Sequence, residues 1–227
     1  MSFWIGRLTD LRIAFEKNPE KRFNDNYLRF KDPDGIILEL VADNVTVNAK
    51  TFAGYGVPAE HAIKGFYSIT LWEDGFEATD EFLKNIMGYE FVRQSDTIFR
   101  YQVSGNGLGR IVDVRSAPDF WRGEMGTGII HHVAFKTADD TTQADWRGRL
   151  VDIGADVSPI IDRKYFHSIY FHEPGGVLFE IATAGPGFTI DETEEELGTN
   201  LQLPPQYEAH REAIEKGLPT VILPKNE

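Results

Sequence analysis

Cysteine is absent from the 227 residues. Its absence excludes disulfides, thiolate-bound metals and a cysteine nucleophile, and leaves His, Asp and Glu as the strong side-chain metal ligands. Basic charge is scarce beside acidic: 23 Lys plus Arg face 36 Asp plus Glu, a net charge of −13 that repels phosphate backbones and anionic lipid surfaces. Nucleic-acid and membrane-surface partners are therefore not expected. No stretch approaches the ~20 apolar residues that span a bilayer, and MSFWIGRLTD has neither the basic start nor the apolar core of an export signal. A cytoplasmic location is the expectation. What remains, 41% hydrophobic and 26% charged with 12% aromatic, is the composition of an ordinary globular chain, with room for one large domain or two small ones.

The chain repeats itself. FKDPDGIILELVA at residues 30–42 finds a counterpart in FHEPGGVLFEIAT at 171–183, with Phe30, Pro33, Gly35 and Glu39 matching Phe171, Pro174, Gly176 and Glu180. Upstream, WIGRLTDL at 4–11 echoes WRGRLVDI at 146–153 at nearly the same separation. Two matched stretches in one order point to an internal duplication. The later copy defines the unit: an apolar strand GIIHHVAFKT, a helix from about Thr142 to Ile153, and strand-like runs near 157–163, 166–172 and 176–183. Trp146, Leu150 and Ile153 supply the helical spacing, and EPGG supplies the turn before the last strand. This β-α-β-β-β module is of the α+β class.

A more diverged copy occupies 65–126, with GFYSITLW, ATDEFLKNIM, YEFVRQ, TIFRYQV and RIVDVRS in the same order. Residues 1–43 hold a helix and strands but nothing corresponding to GIIHHVAFKT, so this copy lacks its first strand. Either Met1 begins a chain truncated inside a module, or another segment or chain completes the sheet. An unpaired edge invites pairing, and a homo-oligomer is expected. Residues 44–64 read as a linker, 127–184 as the second full module, and 185–227 as an acidic tail that wraps the surface. GNGLG at 105–109 lies between strand runs and is a hairpin turn rather than a nucleotide fingerprint. NVT at 44–46 fits a glycosylation acceptor but lacks secretory context.

Strand alternation sorts the polar residues of the 127–184 module by face. Val177, Phe179 and Ile181 form the apolar face toward the helix, which leaves Glu180 on the concave face with Leu178 and Ala182. His132 falls on that face with Ala134 and Lys136, as do Ser168, Tyr170 and His172. Imidazole and carboxylate with open positions are what a catalytic divalent metal requires. Two ligands hold a metal weakly, so a third is needed. His172, His167, a missing module or a second chain are the candidates. Each feature also has a plain reading, since a strand-end Glu often salt-bridges and a His pair often joins a core residue to a surface one. The 65–126 copy places Phe66 and Tyr67 at the positions of His131 and His132, and Asp113 at that of Glu180, so it cannot form the same pair. Glu39 has the right strand position without a partner strand and reads as structural.

These residues resemble the vicinal oxygen chelate superfamily, whose β-α-β-β-β modules pair into cupped sheets around a divalent metal. More narrowly, PAEHAIKGFYSITLWE, GIIHHVAFKT, DRKYFHSIYFHEPGGVLFEIAT and PGFTIDETEEELGTNLQLPP look like bacterial ring-cleaving dioxygenases acting on hydroquinones. Such proteins have four modules, so the chain resembles one lacking the first module and the opening strand of the second. The resemblance implies an Fe(II) or alternatively Mn(II) cofactor held by two His and one Glu, with O2 and an aromatic diol as substrates. His132 and Glu180 match two of the ligands. In that branch the other His sits on the first module's opening strand. The resemblance also implies catalytic positions at His131, Arg163 and Tyr170, where a permanent charge and proton-relaying groups suit a phenolate or superoxide. Competing readings are a glyoxalase-like isomerase with a metal site shared between chains, and a non-catalytic small-molecule-binding fragment.

Overall fold

The computed structural model describes residues 1–43, 51–105, 107–121, 123–126 and 128–220. NVT, part of the linker and the end of the LPTVILP segment lie outside them. The chain forms two compact units, one built on Met1–His131 and the other on His132–Glu173 and Val177–Pro224. Among the described residues no helix is long and apolar enough to cross a membrane.

The first unit opens with helix α1 (Ser2–Asp10) and a three-stranded antiparallel sheet of β1 (Phe15–Lys17), β2 (Asn26–Lys31) and β3 (Ile37–Ala42), in the order β1-β2-β3. Asp32 accepts the backbone N–H groups of Asp34 and Ile36 through Oδ1, and Gly35 takes φ +94°, a value that favours glycine at this turn. Strands β4 (Ser68–Glu73), β5 (Glu90–Ser95), β6 (Ile98–Gln102) and β7 (Ile111–Ser116), with helix α2 (Glu77–Asn85), complete the unit in the sheet order β4-β7-β6-β5. β4 and β7 run parallel. Helix α2 buries Thr79, Phe82 and Leu83, which share one face at helical spacing, near the buried Leu71, Val112 and Val114 of the sheet. Each such apolar side chain contributes about 1.5–3 kcal/mol on burial.

A chain of buried ion pairs occupies the polar centre of this unit. The Arg100 guanidinium donates to Asp113 through Nε at 2.7 Å and to Asp25 through Nη2 at 2.7 Å, while Arg22 donates to Glu39 at 2.6 Å. Arg29 adds a bond to Glu39 at 3.0 Å and one to Glu20 at 3.1 Å. Glu39 is thus consumed by two arginines. Burial alone would lower the Arg100 pKa, but its bonds to Asp113 and Asp25 outweigh that and hold the group charged. Burial also pushes the Glu20 carboxyl up, yet hydrogen bonds from Arg29 and Arg115 win and hold it below its ordinary value of 4.5. Glu20 therefore contributes stability above that pH and loses it as the pH falls below.

The second unit holds β8 (Val133–Thr137), α3 (Asp140–Asp152), β9 (Ile161–Asp162), β10 (His167–His172) and β11 (Leu178–Thr183), in the sheet order β8-β11-β10-β9. α3 begins with a capping box: Asp139 Oδ1 accepts Thr142 N–H at 2.9 Å, and Thr142 Oγ1 accepts Asp139 N–H at 3.1 Å. Its buried side chains are Gln143 and Leu150, whereas Ile153 is exposed. The Gln143 amide spends both hydrogens on the backbone carbonyls of His167 and Ile181, at 2.8 Å each, fastening the helix to two strands. Ile169, Phe171, Phe179 and Ile181 form the apolar layer.

Three expectations change. β8 starts at Val133 rather than Gly128, because its parallel partner β11 begins only at Leu178 and pairing starts at Phe179 with Val133. The run near 157–163 contributes just two residues of strand, opposite His167 and Ser168. Register places Thr70 beside Asp113 as Ala134 stands beside Glu180, so Ser68, not Tyr67, occupies the position of His132. The 185–227 tail includes a 3-10 turn (Pro205–His210) followed by α4 (Arg211–Gly217).

Arg100→Ala leaves Asp113 buried without its hydrogen-bonded cation and Asp25 with only the Arg22 cation, 3.6 Å away, and should cost about 3–5 kcal/mol. Urea denaturation measures this, and a loss below about 1 kcal/mol would show that the network is not structural.

Candidate metal and aromatic-binding site

Cross-strand register brings the polar residues of the second unit together. β10 and β11 are antiparallel, with Tyr170 opposite Glu180 and Ser168 opposite Ala182. Side chains on one face of such a pair meet directly or diagonally. Glu180 is 3% exposed, and a carboxyl removed from water requires donors. Its Oε1 accepts the hydroxyl of Ser168 and that of Tyr170, the latter at 2.9 Å. Its Oε2 faces His132 Nε2 at 2.6 Å. The His132 ring meets Tyr170 edge-on with centroids 5.6 Å apart. Arg163 Nη2 donates to the Tyr170 hydroxyl at 3.4 Å, and its guanidinium carbon lies 5.4 Å from the ring centroid.

The structure thus joins His132, Glu180, Tyr170 and Arg163 in one constellation. His131 and His132 both precede β8; His132 is fixed by its contact with Glu180, whereas His131 is exposed. His167 is directed elsewhere: its Nδ1 meets Asp140 Oδ1 at 2.6 Å, at the start of α3. It leaves the set of third ligands because strand alternation turns it to the helix side. His172 is exposed at the end of β10. Among the described residues no three His, Asp or Glu converge as a metal-binding group. His132 and Glu180 nevertheless suit a divalent metal as a pair. The carboxyl has one oxygen immobilised by two hydroxyls and the other aimed at an imidazole nitrogen, the arrangement by which hydrogen bonds behind a ligand orient it.

Next to this pair, on the same unit, lies a cleft of about 290 Å³. Ala134 and Ala182 line it beneath Tyr165, Phe166 and Phe188. Phe188 packs on Tyr165 with centroids 5.0 Å apart and edge-on to Phe166 at 6.3 Å. The tail segment is tied down by Gly187 N–H to the Tyr165 carbonyl at 2.8 Å, and by Asp191, which pairs with Lys164 and accepts the Tyr165 hydroxyl at 3.2 Å. Sequence reasoning placed Ser168 on the correct face without giving it a role, and it read Phe188 and Asp191 as part of an acidic surface tail with no place in the cleft. Alternation supplied the signal for Ser168. The tail has no periodicity from which its contacts could be read.

In the first unit the corresponding centre carries different chemistry. Asp113 stands opposite Arg100 as Glu180 stands opposite Tyr170, and the Arg100 guanidinium fills the space with its own bonds. No histidine is present there to receive a metal.

No family model matches the chain. Comparison with curated proteins finds a Bacillus subtilis (strain 168) protein named as a ring-cleaving dioxygenase, MhqO, 42% identical over 96% of this chain and 68% of that protein. The chlorohydroquinone/hydroquinone 1,2-dioxygenase of Sphingobium indicum is 32% identical over 94% of this chain and 67% of its own length. A crystal structure named as a dioxygenase from Bacillus subtilis superposes with a TM-score of 0.91 at 41% identity, covering 97% of this chain and 69% of that one. With relatives at this identity across nearly its whole length, the chain belongs to the family of the ring-cleaving dioxygenases.

Proposed function

We propose that the chain serves a metal-dependent, extradiol-type dioxygenase that opens a hydroquinone or catechol-type ring with O2, using Fe(II) or alternatively Mn(II). The observation that carries the reading is the opposition of His132 Nε2 and the buried Glu180 Oε2 at 2.6 Å. They would hold the metal together with a third ligand from outside the described residues, supplied by a further segment or by a second copy of the chain. A bound Fe(II) would supply Lewis acidity and a path for electrons from the diol to O2.

The protein's own groups account for the remaining tasks. Ser168 and Tyr170 hold Glu180 Oε1 and so fix which oxygen faces the metal position. Arg163 places a permanent positive charge beside the Tyr170 hydroxyl, a charge suited to a bound substrate phenolate. The same hydroxyl can pass a proton along its bond to Glu180. His131 enters as a base for the substrate hydroxyl on the family resemblance alone. The aromatic walls of the adjacent cleft offer stacking surface to a flat ring and exclude water from one side of it.

Oxygen consumption tests the reading. Full chain loaded anaerobically with Fe(II) should take up O2 when hydroquinone is added. Glu180→Gln should fall to the level of a no-protein control, and Arg163→Ala should lose about 10²-fold in kcat/KM. Glu39→Ala should retain the activity of its folded fraction. No uptake by the parent chain, or equal uptake by Glu180→Gln, would overturn the assignment.

A further inference from the structure

The alternation that sets His132, just before β8, and Ala134 on one face next carries Lys136, which pairs with Ala182 across the parallel ladder. Lys136 therefore stands on the metal-ligand face, four residues along the strand from His132. That is a Cα separation of roughly 13 Å. Ala134 and Ala182, between the two ends, are too small to fill the space above the strands. Of the described residues lining the cleft, Lys136 alone is charged. It is exposed and makes no ion pair or hydrogen bond through its side chain among the described residues. The acid on the neighbouring tail, Asp191, is already engaged by Lys164 and Tyr165. The chain carries a net charge of −13, so an uncommitted ammonium at the end of an aromatic-walled trough is a local positive centre in an acidic molecule.

We propose that the site takes a dihydroxybenzene bearing a carboxylate at the end of the ring remote from His132 and Glu180, and that Lys136 is the specificity-determining residue that binds this anion. The ring lies over Ala134 and Ala182 between Tyr165, Phe166 and Phe188, and the remaining span to the strand is filled by the lysine side chain. The metal end rests on the ring-cleavage reading above. The trough and its ammonium do not. A charge-assisted hydrogen bond in a half-open cleft is worth enough to separate a carboxylated diol from the parent diol by about tenfold in affinity.

Binding and turnover are measured separately. Calorimetric titration of the full chain with 2,5-dihydroxybenzoate and with hydroquinone should show the carboxylated diol binding about tenfold more tightly. Lys136→Met, which keeps an apolar stem and drops the charge, should remove that advantage, and Lys136→Glu should reverse it. Affinity for hydroquinone should stay within twofold across the series. Equal affinity for the two diols in the parent chain, an advantage that survives in Lys136→Met, or no binding of either diol would overturn the proposal. Binding with the expected Lys136 dependence but no O2 uptake from either diol would instead sink the ring-cleavage reading and leave the cleft assignment standing. Uptake from both diols with no dependence on Lys136 would do the reverse.

Discussion

The second unit depends on how one buried carboxyl is accommodated. Glu180 sits in the middle of a central strand with 3% of its surface exposed. A group so placed costs several kcal/mol unless its oxygens are matched. Ser168 and Tyr170, both contributed by the antiparallel neighbour, satisfy one oxygen. The other is directed to His132 at the mouth of the parallel neighbour. Three consecutive strands of the sheet, in the order β8-β11-β10, are therefore tied to one side chain. The apolar layer on the opposite face, with Gln143 clamping two backbone carbonyls, fixes the strands from behind. Preorganisation of this kind makes a ligand oxygen available without rearrangement.

The first unit meets the same constraint differently. Asp113 is as central and as buried as Glu180, but the cation it needs is built into the chain as Arg100, which also binds Asp25 of the preceding three-stranded segment. One copy of the duplicated module is thus sealed by its own guanidinium and stiffens the unit. The other leaves a carboxylate and an imidazole facing each other, the chemistry a divalent cation exploits. The two copies thus differ in the partner given to a central acid, Arg100 for Asp113 and His132 for Glu180.

Much of this follows from period-two alternation, which needs no tertiary information. Val177, Phe179 and Ile181 on one side force Glu180 to the other, and the same rule carries Ser168 and Tyr170 to the face on which their bonds to Glu180 are made. What alternation does not contain is where pairing begins. β8 starts after His132 because β11 starts at Leu178, and this is a property of two strands together. The same gap shifts the comparison between copies by one residue, so that Ser68 rather than Tyr67 matches His132. Ile153, which keeps the helical spacing, is exposed at the C-cap of α3, while Gln143 takes a core position through its backbone bonds, which spacing of apolar residues does not reveal. The contribution of Phe188 and Asp191 to the cleft was invisible in sequence. Their contacts with Tyr165 and Lys164 join an irregular tail to a loop, with no repeating pattern on either side.

The central claim is that His132 and Glu180 are two ligands of one divalent metal. The most direct measurement is Mn(II) binding followed by electron paramagnetic resonance, comparing the full chain with His132→Ala and Glu180→Gln after confirming that each variant is folded. The account predicts uptake by the parent chain and a loss of at least about tenfold in affinity in each variant. Failure of the parent chain to bind Mn(II), or equal binding by either variant, would contradict it.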